Sequence, residues 1–236
     1  MSARVTIDIA FDFRTDTTGP DPDRHSPTLR QYHLLLWSKP LPSGASFDLW
    51  DTYPDGYLKH CSELGAFVLS SDTAVNAYTH WVRMKPIIDQ VPEPEVEAFK
   101  TSMYTIGNMI VFPSNRIEGM PTINQERGVN SQILDRFDLT VECIRLHYLE
   151  QHSPLADTLS RYAAFFALFS DFHNYVRFFL LDDLVADDGN VKFFLPFDAE
   201  FPPGPWPRDV GAYAQYRRRS MEFIEARNNR ISHLNT

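Results

Sequence analysis

The chain has 236 residues, of which 43% are hydrophobic and 22% charged, a balance that excludes a disordered protein and allows a sizeable core. Its formal net charge of −9 argues against broad nonspecific binding to DNA or to anionic membrane surfaces, because both require a basic face. It contains no run of about 18 uncharged apolar residues, so we expect no membrane span and no membrane partner.

The cysteines and the start of the chain indicate the compartment. Cys61 and Cys143 are the two cysteines and form no CxxC pair, which favours a reducing compartment and disfavours a structural zinc site. The first residues lack the apolar stretch of a signal peptide. We therefore predict a cytoplasmic protein, and no motif in the sequence indicates a cofactor.

The first residues predict a strand, a loop and a helix. Apolar and polar residues alternate from Val5 to Phe13, which is the period of a strand with one buried face. An Asp-rich loop follows. Ser26 and Pro27 are typical of a helix start, and we predict a helix from Pro27 to about Trp37.

Between residues 45 and 113 the pattern predicts short strands and helices. β-like segments within 45–52 and 56–69 are separated by Pro and Gly and predict a small antiparallel sheet. The elements expected after it are a helix from Ser71 to about Lys85, a helix over 95–101 and a buried strand over 104–112.

The second half of the chain predicts helices. A polar loop over 114–130 comes first, and loops of this length are often functional. Two nearly apolar segments indicate the most buried helices and contain Phe165, Phe166, Phe169, Phe172, Phe178 and Phe179. The predicted helices cover 131–148, 155–169, 172–184 and 209–234, with a short strand over 191–197.

These elements favour an α+β fold in a single domain, residues 1–236. A small mixed or antiparallel sheet in the β-rich part, 1–113, is expected to pack on the Phe-rich helical part, 131–236. The loop 114–130 connects the two parts.

The last helix contains the strongest candidate for a functional residue. Arg227 shares a helical face with Ile224 and Ile231, so its guanidinium points toward the core. A buried guanidinium needs an anionic partner, and we expect a carboxylate of this chain or a phosphate-like ligand. His233 lies about 120° around the helix, so it meets Arg227 on one phosphate only if the helix end frays or a homodimer forms.

Two other regions contain candidates for an anion site. The loop 114–130 carries amide and guanidinium groups suited to a nucleotide or a carboxylate, and the first helix and the loop before it add two arginines. These candidates are Asn115, Arg116, Asn124, Arg127, Arg14 and Arg30. For the loop, the competing interpretation is that Arg116 and Arg127 hold it at the surface by pairing with acidic residues of the first helix.

The Asp-rich loop is a candidate for a divalent cation. Asp12, Asp16, Asp21 and Asp23 suit a hard cation if their carboxylates converge. Their spacing matches no known calcium loop, and prolines and arginines interrupt them. We interpret these aspartates as turn formers and exposed ion pairs, and we predict no metal site.

Three blocks of the chain together resemble a family of uncharacterised bacterial proteins. They are the segment from FDFRTD to KPLPSG, YTIGNMIVFPSNRI with the later RFDLTVECIRLHY, and YRRRSMEFIEARNNRI. The resemblance covers almost the whole chain. It implies a bacterial cytosolic protein of a domain-of-unknown-function family, and it supplies no activity or catalytic residue.

The C-terminal motif resembles the HEPN ribonucleases. Their signature is an arginine, a polar residue and a histidine a few positions later, which Arg227, Asn228 and His233 match. That resemblance implies that Arg227 stabilises a phosphate or oxyanion and that His233 acts as acid or base in RNA cleavage. The signature lies at the very end of the chain, and the first half does not look like a helical bundle.

The sequence leaves three functions open and does not decide whether the protein is an enzyme. The leading hypothesis is a bacterial cytosolic module that binds or processes an anionic, phosphate-bearing small molecule through Arg227 and the loop 114–130. The second is a HEPN-like, metal-independent RNase that acts on RNA as a toxin or defence effector. The third is a non-catalytic protein-interaction module with an aromatic surface.

Overall fold

The computed structural model describes residues 6–51 and 56–234, and its architecture is α+β, as predicted. The helices in these ranges are α1 (Pro22–His25), α2 (Pro27–Trp37), α3 (Lys85–Ile88), α4 (Glu93–Ser102), α5 (Ile123–Val129), α6 (Phe137–Tyr148), α7 (Ala156–Arg161), α8 (Ala163–Ala167), α9 (Phe172–Phe178) and α10 (Val210–His233). The strands are β1 (Lys39–Pro40), β2 (Ser46–Phe47), β3 (Trp50–Asp51), β4 (Leu58–Ser62), β5 (Gly65–Thr73) and β6 (Met109–Pro113).

Two antiparallel sheets lie in the first half of the chain, as the sequence predicts. β1 pairs with β2, and a four-stranded sheet has the order β3-β4-β5-β6. β5 pairs first with β4 and then continues along β6, where Ser71 lies opposite Val111. Every residue of β6 is buried, as expected for a strand that is covered on both faces.

The phenylalanine cluster joins the helices to the sheets. Phe169 is fully buried, and its ring centroid lies 5.2 Å from that of Phe179. It also lies 6.2 Å from the ring of Phe47 in β2, while Phe165 of α8 lies 5.6 Å from Phe67 of β5. The strands therefore pack on the Phe-rich helices, as the sequence predicts.

The predictions for α2, α4 and α10 are confirmed. The Ser26 hydroxyl accepts the Leu29 N–H at 3.1 Å and Pro27 occupies the first turn of α2. The buried residues of α10 follow the predicted spacing and are Tyr213, Tyr216, Ser220, Phe223, Ile224, Arg227, Asn228 and Ile231. In the part of the chain that the structure describes, no helix combines the length and the apolar character needed to cross a membrane.

The strand predicted at the start of the chain is wrong for the residues that can be compared. Val5 lies outside the described residues, and from residue 6 to Phe13 the backbone forms a turn and then a 3₁₀ turn. The carboxylate and the carbonyl of Asp8 accept backbone N–H groups two and three residues later, at 2.9 and 3.2 Å. Ile7 and Phe13 are still buried, so the alternation marks burial without strand pairing.

The helix predicted over 71–85 is also wrong. β5 extends to Thr73, which pairs with Met109 of β6. Asn108 then holds Val75 by accepting its N–H at 2.9 Å and donating to its carbonyl at 3.2 Å. Because these two residues are 33 positions apart, distant hydrogen bonds override the local helical spacing.

The segment 114–130, predicted as a loop, contains α5. The Thr122 hydroxyl accepts the Gln125 N–H at 3.3 Å, and the Gln125 side chain accepts the Thr122 N–H at 3.2 Å. This capping box is visible in the sequence as Thr-x-x-Gln, so α5 could have been predicted. The strand predicted over 104–112 begins only at Met109, because a 3₁₀ turn occupies Ile106–Asn108.

The other second-half elements are shorter than predicted. α6 begins only at Phe137, because residues 134 and 135 have φ angles of 45° and 61°. The two Phe-rich segments are divided into α7, α8 and α9. The strand predicted over 191–197 is reduced to one bridge between Val185 and Val191.

Phe169→Ala is expected to lower the free energy of unfolding by about 3 to 5 kcal/mol, because it removes a fully buried ring between the helices and β2. Val82→Ala is the control, since that side chain is 88% exposed and should contribute less than about 0.5 kcal/mol. Chemical denaturation measures both. A loss below about 1 kcal/mol for Phe169→Ala would contradict its central position.

Candidate functional site

Arg227 lies inside the protein, where backbone carbonyls accept its guanidinium. Its exposed fraction is 0%. Nε donates to the Phe179 carbonyl at 3.1 Å, and Nη1 donates to the carbonyls of Gly107 at 3.0 Å and Met109 at 2.7 Å. The Trp37 ring lies 5.6 Å from the guanidinium carbon. Arg227 thereby connects α10 to the end of α9 and to the start of β6.

The charge of Arg227 is not balanced by a carboxylate of the described residues, which is one of the two partners that the sequence leads us to expect. No carboxylate in the described ranges forms an ion pair with it, and burial lowers its pKa to about 10. Nη2 and the hydroxyl of Tyr175 are both enclosed and lack a hydrogen-bond partner within those ranges. Carbonyl dipoles and an aromatic ring therefore stabilise a charge that we expected an anion to balance.

The HEPN-like motif is divided between the interior, which holds Arg227 and Asn228, and the surface, where His233 lies. Asn228 is buried, accepts the Gly107 N–H at 2.8 Å and donates to the Thr105 hydroxyl at 3.3 Å. His233 is exposed, and its Nδ1 lies 2.6 Å from a carbonyl one helical turn earlier. Within this single chain, Arg227 and His233 do not converge on a common site.

Two other predicted anion-binding arginines also donate to groups of this chain. Arg127 is fully buried and its Nη1 donates to Asp72 at 2.9 Å. Arg30 is buried as well, donates to the Asp23 carbonyl at 2.6 Å and forms an ion pair with Asp51. The first arginine holds α5 against β5, and the second holds α2 against α1 and β3.

The remaining candidates of segment 114–130 lie near the surface. Arg116 is exposed and donates to Gln125 at 3.3 Å. Asn124 lies 3.3 Å from the Ser70 hydroxyl, and the side-chain oxygens of Asn124 and Asn115 have no partner among the described residues. A role for these side chains in ligand binding stays a prediction.

Arg14 lies beside a pocket that the sequence does not reveal. The pocket forms where α1 and the loop before it meet the end of β5 and the start of β6, and its volume is about 120 Å³. Three carboxylates, two aromatic rings and one guanidinium surround it, those of Asp21, Asp23, Asp72, Phe13, Tyr104 and Arg14. We call this site the acidic pocket.

The guanidinium at the acidic pocket is already paired. Arg14 Nε donates to Asp12 at 3.0 Å, and its guanidinium carbon lies 4.2 Å from the centre of the Tyr104 ring. The hydrogen bond between the two side chains raises the pKa of Arg14 and lowers the pKa of Asp12. Because Asp12 pairs with Arg14 and Arg127 pairs with Asp72, the carboxyl groups of the acidic pocket outside these ion pairs are Asp21 and Asp23.

Asp23 is the buried carboxyl group of the acidic pocket. One of its oxygens accepts the Ser71 N–H at 2.6 Å, and the other accepts the Ser71 hydroxyl. Burial raises the pKa of Asp23 to about 7; the Ser71 hydrogen bonds oppose this rise, and repulsion from Asp21 and Asp72 adds to it. A carboxyl group that exchanges its proton near neutral pH in a pocket is typical of a functional site.

The other aspartates of the N-terminal loop hold local structure. Asp16 accepts the Thr28 N–H at 3.0 Å and the Ser26 hydroxyl, and Asp21 accepts the Asp23 N–H at 3.1 Å as the cap of α1. Of the side chains that the structure describes, no three of His, Cys, Asp and Glu are placed to hold a metal ion.

The sequence pattern singles out part of the acidic pocket, although it favours turns and exposed ion pairs for the aspartates. Arg14, Asp21 and Asp23 were candidates, whereas Ser71 and Asp72 were assigned to a helix. Ser71 is 48 positions from Asp23, and no local pattern connects them. The alternative signal was the apolar stretch before Ser71, which continues as β5 through both residues.

Comparison with known proteins supports one of the two resemblances seen in the sequence. The family of unknown function DUF6994 matches residues 7–231, nearly the whole chain. No curated protein and no solved structure matches the chain. The range includes both the acidic pocket and the part of α10 that contains Arg227.

Arg227→Ala is expected to lower the free energy of unfolding by about 3 kcal/mol or more, because it leaves buried carbonyls without a donor. Arg218→Ala is the matched control on α10, since its side chain is 68% exposed and its ion pair with Glu222 is long. Urea denaturation compares the two variants.

His233→Ala belongs to the same experiment and should leave stability unchanged to within about 0.5 kcal/mol, since the side chain is exposed. The purified proteins are also incubated with RNA in EDTA. A wild-type RNase activity that His233→Ala abolishes in a folded protein would favour the HEPN-like hypothesis.

Asp23→Asn tests the buried carboxyl group through the pH dependence of stability. The pKa of Asp23 is about 7 in the folded protein, above the ordinary value of 3.8. At a pH between these two values, folded Asp23 keeps a proton that it has released in the unfolded chain. We expect the wild type to lose stability relative to Asp23→Asn as pH rises from 4 to 7.5, at up to about 1.4 kcal/mol per unit. Asp187→Asn, an exposed carboxylate, controls for removal of one charge, and a flat difference for Asp23→Asn would show that its pKa is not raised.

Proposed function

The chain belongs to the family of unknown function DUF6994, and we propose that this member binds a small organic cation in its acidic pocket. The ligand class is a molecule with an ammonium or guanidinium end. The observation that carries the proposal is that Asp21, Asp23 and Asp72 line one pocket. Arg14 is paired with Asp12 and Asp72 with Arg127, which leaves Asp21 and Asp23 for a ligand.

The size and walls of the acidic pocket support this class of ligand. Its volume of about 120 Å³ is several times the roughly 10 to 15 Å³ that one water molecule needs, so it has room for one charged end group. Phe13 and Met109 supply apolar wall next to the carboxylates, which suits the short alkyl stem of an amine.

The electrostatics of the acidic pocket favour a cation over an anion. Asp21 and Asp72 make it harder for Asp23 to ionise, and a bound cation reverses that effect by stabilising all three negative charges. Asp72 accepts the Thr73 N–H on one oxygen and pairs with Arg127 through the other, and 37% of its side chain is exposed, so a further donor can reach it. Binding should therefore release a proton from Asp23 near pH 7.

The other functions considered from the sequence stay predictions. An anionic, phosphate-bearing ligand would have to displace the internal acceptors of Arg227, Arg127 and Arg30 or bind elsewhere. A HEPN-like RNase would need a second subunit to bring His233 near Arg227. Location in the bacterial cytoplasm is also a proposal, supported by the two free cysteines and by the resemblance to bacterial proteins.

Butylguanidinium and its neutral analogue butylurea test the proposed ligand class. We expect butylguanidinium to bind, with NMR shifts at Ser71 and Thr73, and butylurea to bind at least tenfold more weakly because it carries no charge. Asp21→Asn and Asp72→Asn should each weaken butylguanidinium binding by about tenfold, or about 1.4 kcal/mol, as measured by calorimetry at pH 8.

Asp187→Asn is the matched control, because it removes an exposed carboxylate outside the acidic pocket. Magnesium, calcium and inorganic phosphate are tested as ligands by the same calorimetry. Equal binding of butylurea and butylguanidinium, or unchanged affinity in both pocket variants, would refute the proposal. Phosphate binding that Arg14→Ala removes would instead support the anionic ligand predicted from the sequence.

A further inference from the structure

The imidazole of His33 lies behind Asp23 and has one nitrogen without a hydrogen-bond partner. Its exposed fraction is 3%, and its Nδ1 accepts the Trp37 indole N–H at 3.0 Å. Because Nδ1 is an acceptor, the proton of the neutral ring is on Nε2. Burial, with the nearby Arg227 and Arg30, lowers the pKa of His33 to about 3, so the ring is neutral at pH 7.

A small cavity lies where that Nε2–H points. Its volume is about 10 Å³, and its polar lining comes from His33, Asp23 and Ser71. Nε2 is 3.9 Å from Asp23 Oδ1, which is too long for a direct hydrogen bond. A buried water molecule needs about 10 to 15 Å³ and two to four polar partners, and the cavity meets both conditions.

We propose that one buried water accepts the Nε2–H of His33 and donates to Asp23 Oδ1, and that His33 thereby favours the ionised Asp23 that receives a cation. The second hydrogen of this water points to the Ser71 hydroxyl oxygen as a third partner. His33 acts through the water and is a positioning residue. Only the effect on cation binding rests on the proposed function, since the water bridge itself needs no ligand.

The charged groups around Asp23 do not stabilise its ionised form, so a donor from His33 affects its ionisation. From α1 and β5, Asp21 and Asp72 disfavour ionisation of Asp23. From α2, Arg30 donates to the backbone carbonyl of Asp23 and to Asp51, so its guanidinium does not bond the Asp23 carboxylate. A donor from His33 on the side opposite the acidic pocket stabilises the ionised carboxylate.

Two substitutions distinguish the effect of the Nε2–H donor from the effect of the imidazole ring as a whole. His33→Gln places an amide N–H near the position of Nε2, whereas the side chain of His33→Asn ends short of it. The readout is the ¹³C NMR titration of the Asp23 carboxyl carbon in the free protein. We expect a midpoint within about 0.5 pH unit of the wild type for His33→Gln and an increase of about one unit or more for His33→Asn.

The wild type supplies a second readout that does not depend on the folding of either variant. ¹⁵N NMR should show His33 neutral at pH 7, protonated on Nε2, and in contact with a long-lived water. A charged ring, the Nδ1–H tautomer, no long-lived water, or equal midpoints for the Gln and Asn variants overturns the inference. Butylguanidinium at pH 7 should bind about fivefold more weakly to His33→Asn, because a rise of one unit lowers the ionised fraction of Asp23 by that factor. If the midpoints shift as expected and butylguanidinium fails to bind the wild type, the proposed function is wrong and the water bridge stands.

Discussion

The guanidinium of Arg227 is the interaction on which the arrangement of helices and sheet depends. No carboxylate of residues 6–51 and 56–234 pairs with it, so its position is set by the carbonyls that surround it. Next to it, α10 approaches the chain so closely that a Cβ atom on Gly107 would lie 2.5 Å from the Asn228 side-chain oxygen. A buried cation and a side chain that needs glycine opposite it allow little freedom in how α10 meets the start of β6.

The position of β6 determines that of the acidic pocket. Arg227 donates to the carbonyl of Met109, the first residue of β6, and Met109 pairs with Thr73 of β5. The residues just before Thr73 are Ser71 and Asp72, which face the N-terminal loop. The contact that closes this arrangement is the pair of hydrogen bonds from Ser71 to Asp23. A perturbation at α10 is thus connected to the acidic pocket through two adjacent strands.

The distribution of charge is the basis of the proposed cation site. The buried arginines, Arg127 and Arg30 among them, are held by acceptors of the chain itself. In the acidic pocket Asp72 is paired with Arg127, whereas Asp21 and Asp23 accept hydrogen bonds from neutral groups, and burial shifts Asp23 toward its protonated form. Excess negative charge in a partly enclosed space is stabilised by an external cation, and the neutral His33 behind it can contribute a donor without adding charge.

Some features of this protein could be derived from the amino-acid sequence alone. The cap at Ser26, the inward face of α10 and the Phe-rich packing depend on residues a few positions apart, and each was correct. The sequence also determined that Arg227 is buried. Its partners, the strand that contains Ser71, and the acidic pocket were decided by tertiary structure, because their hydrogen bonds join residues 33 to 120 positions apart. Local periodicity indicates which side chains are buried. Only the folded chain determines which distant polar groups form hydrogen bonds with the buried polar side chains.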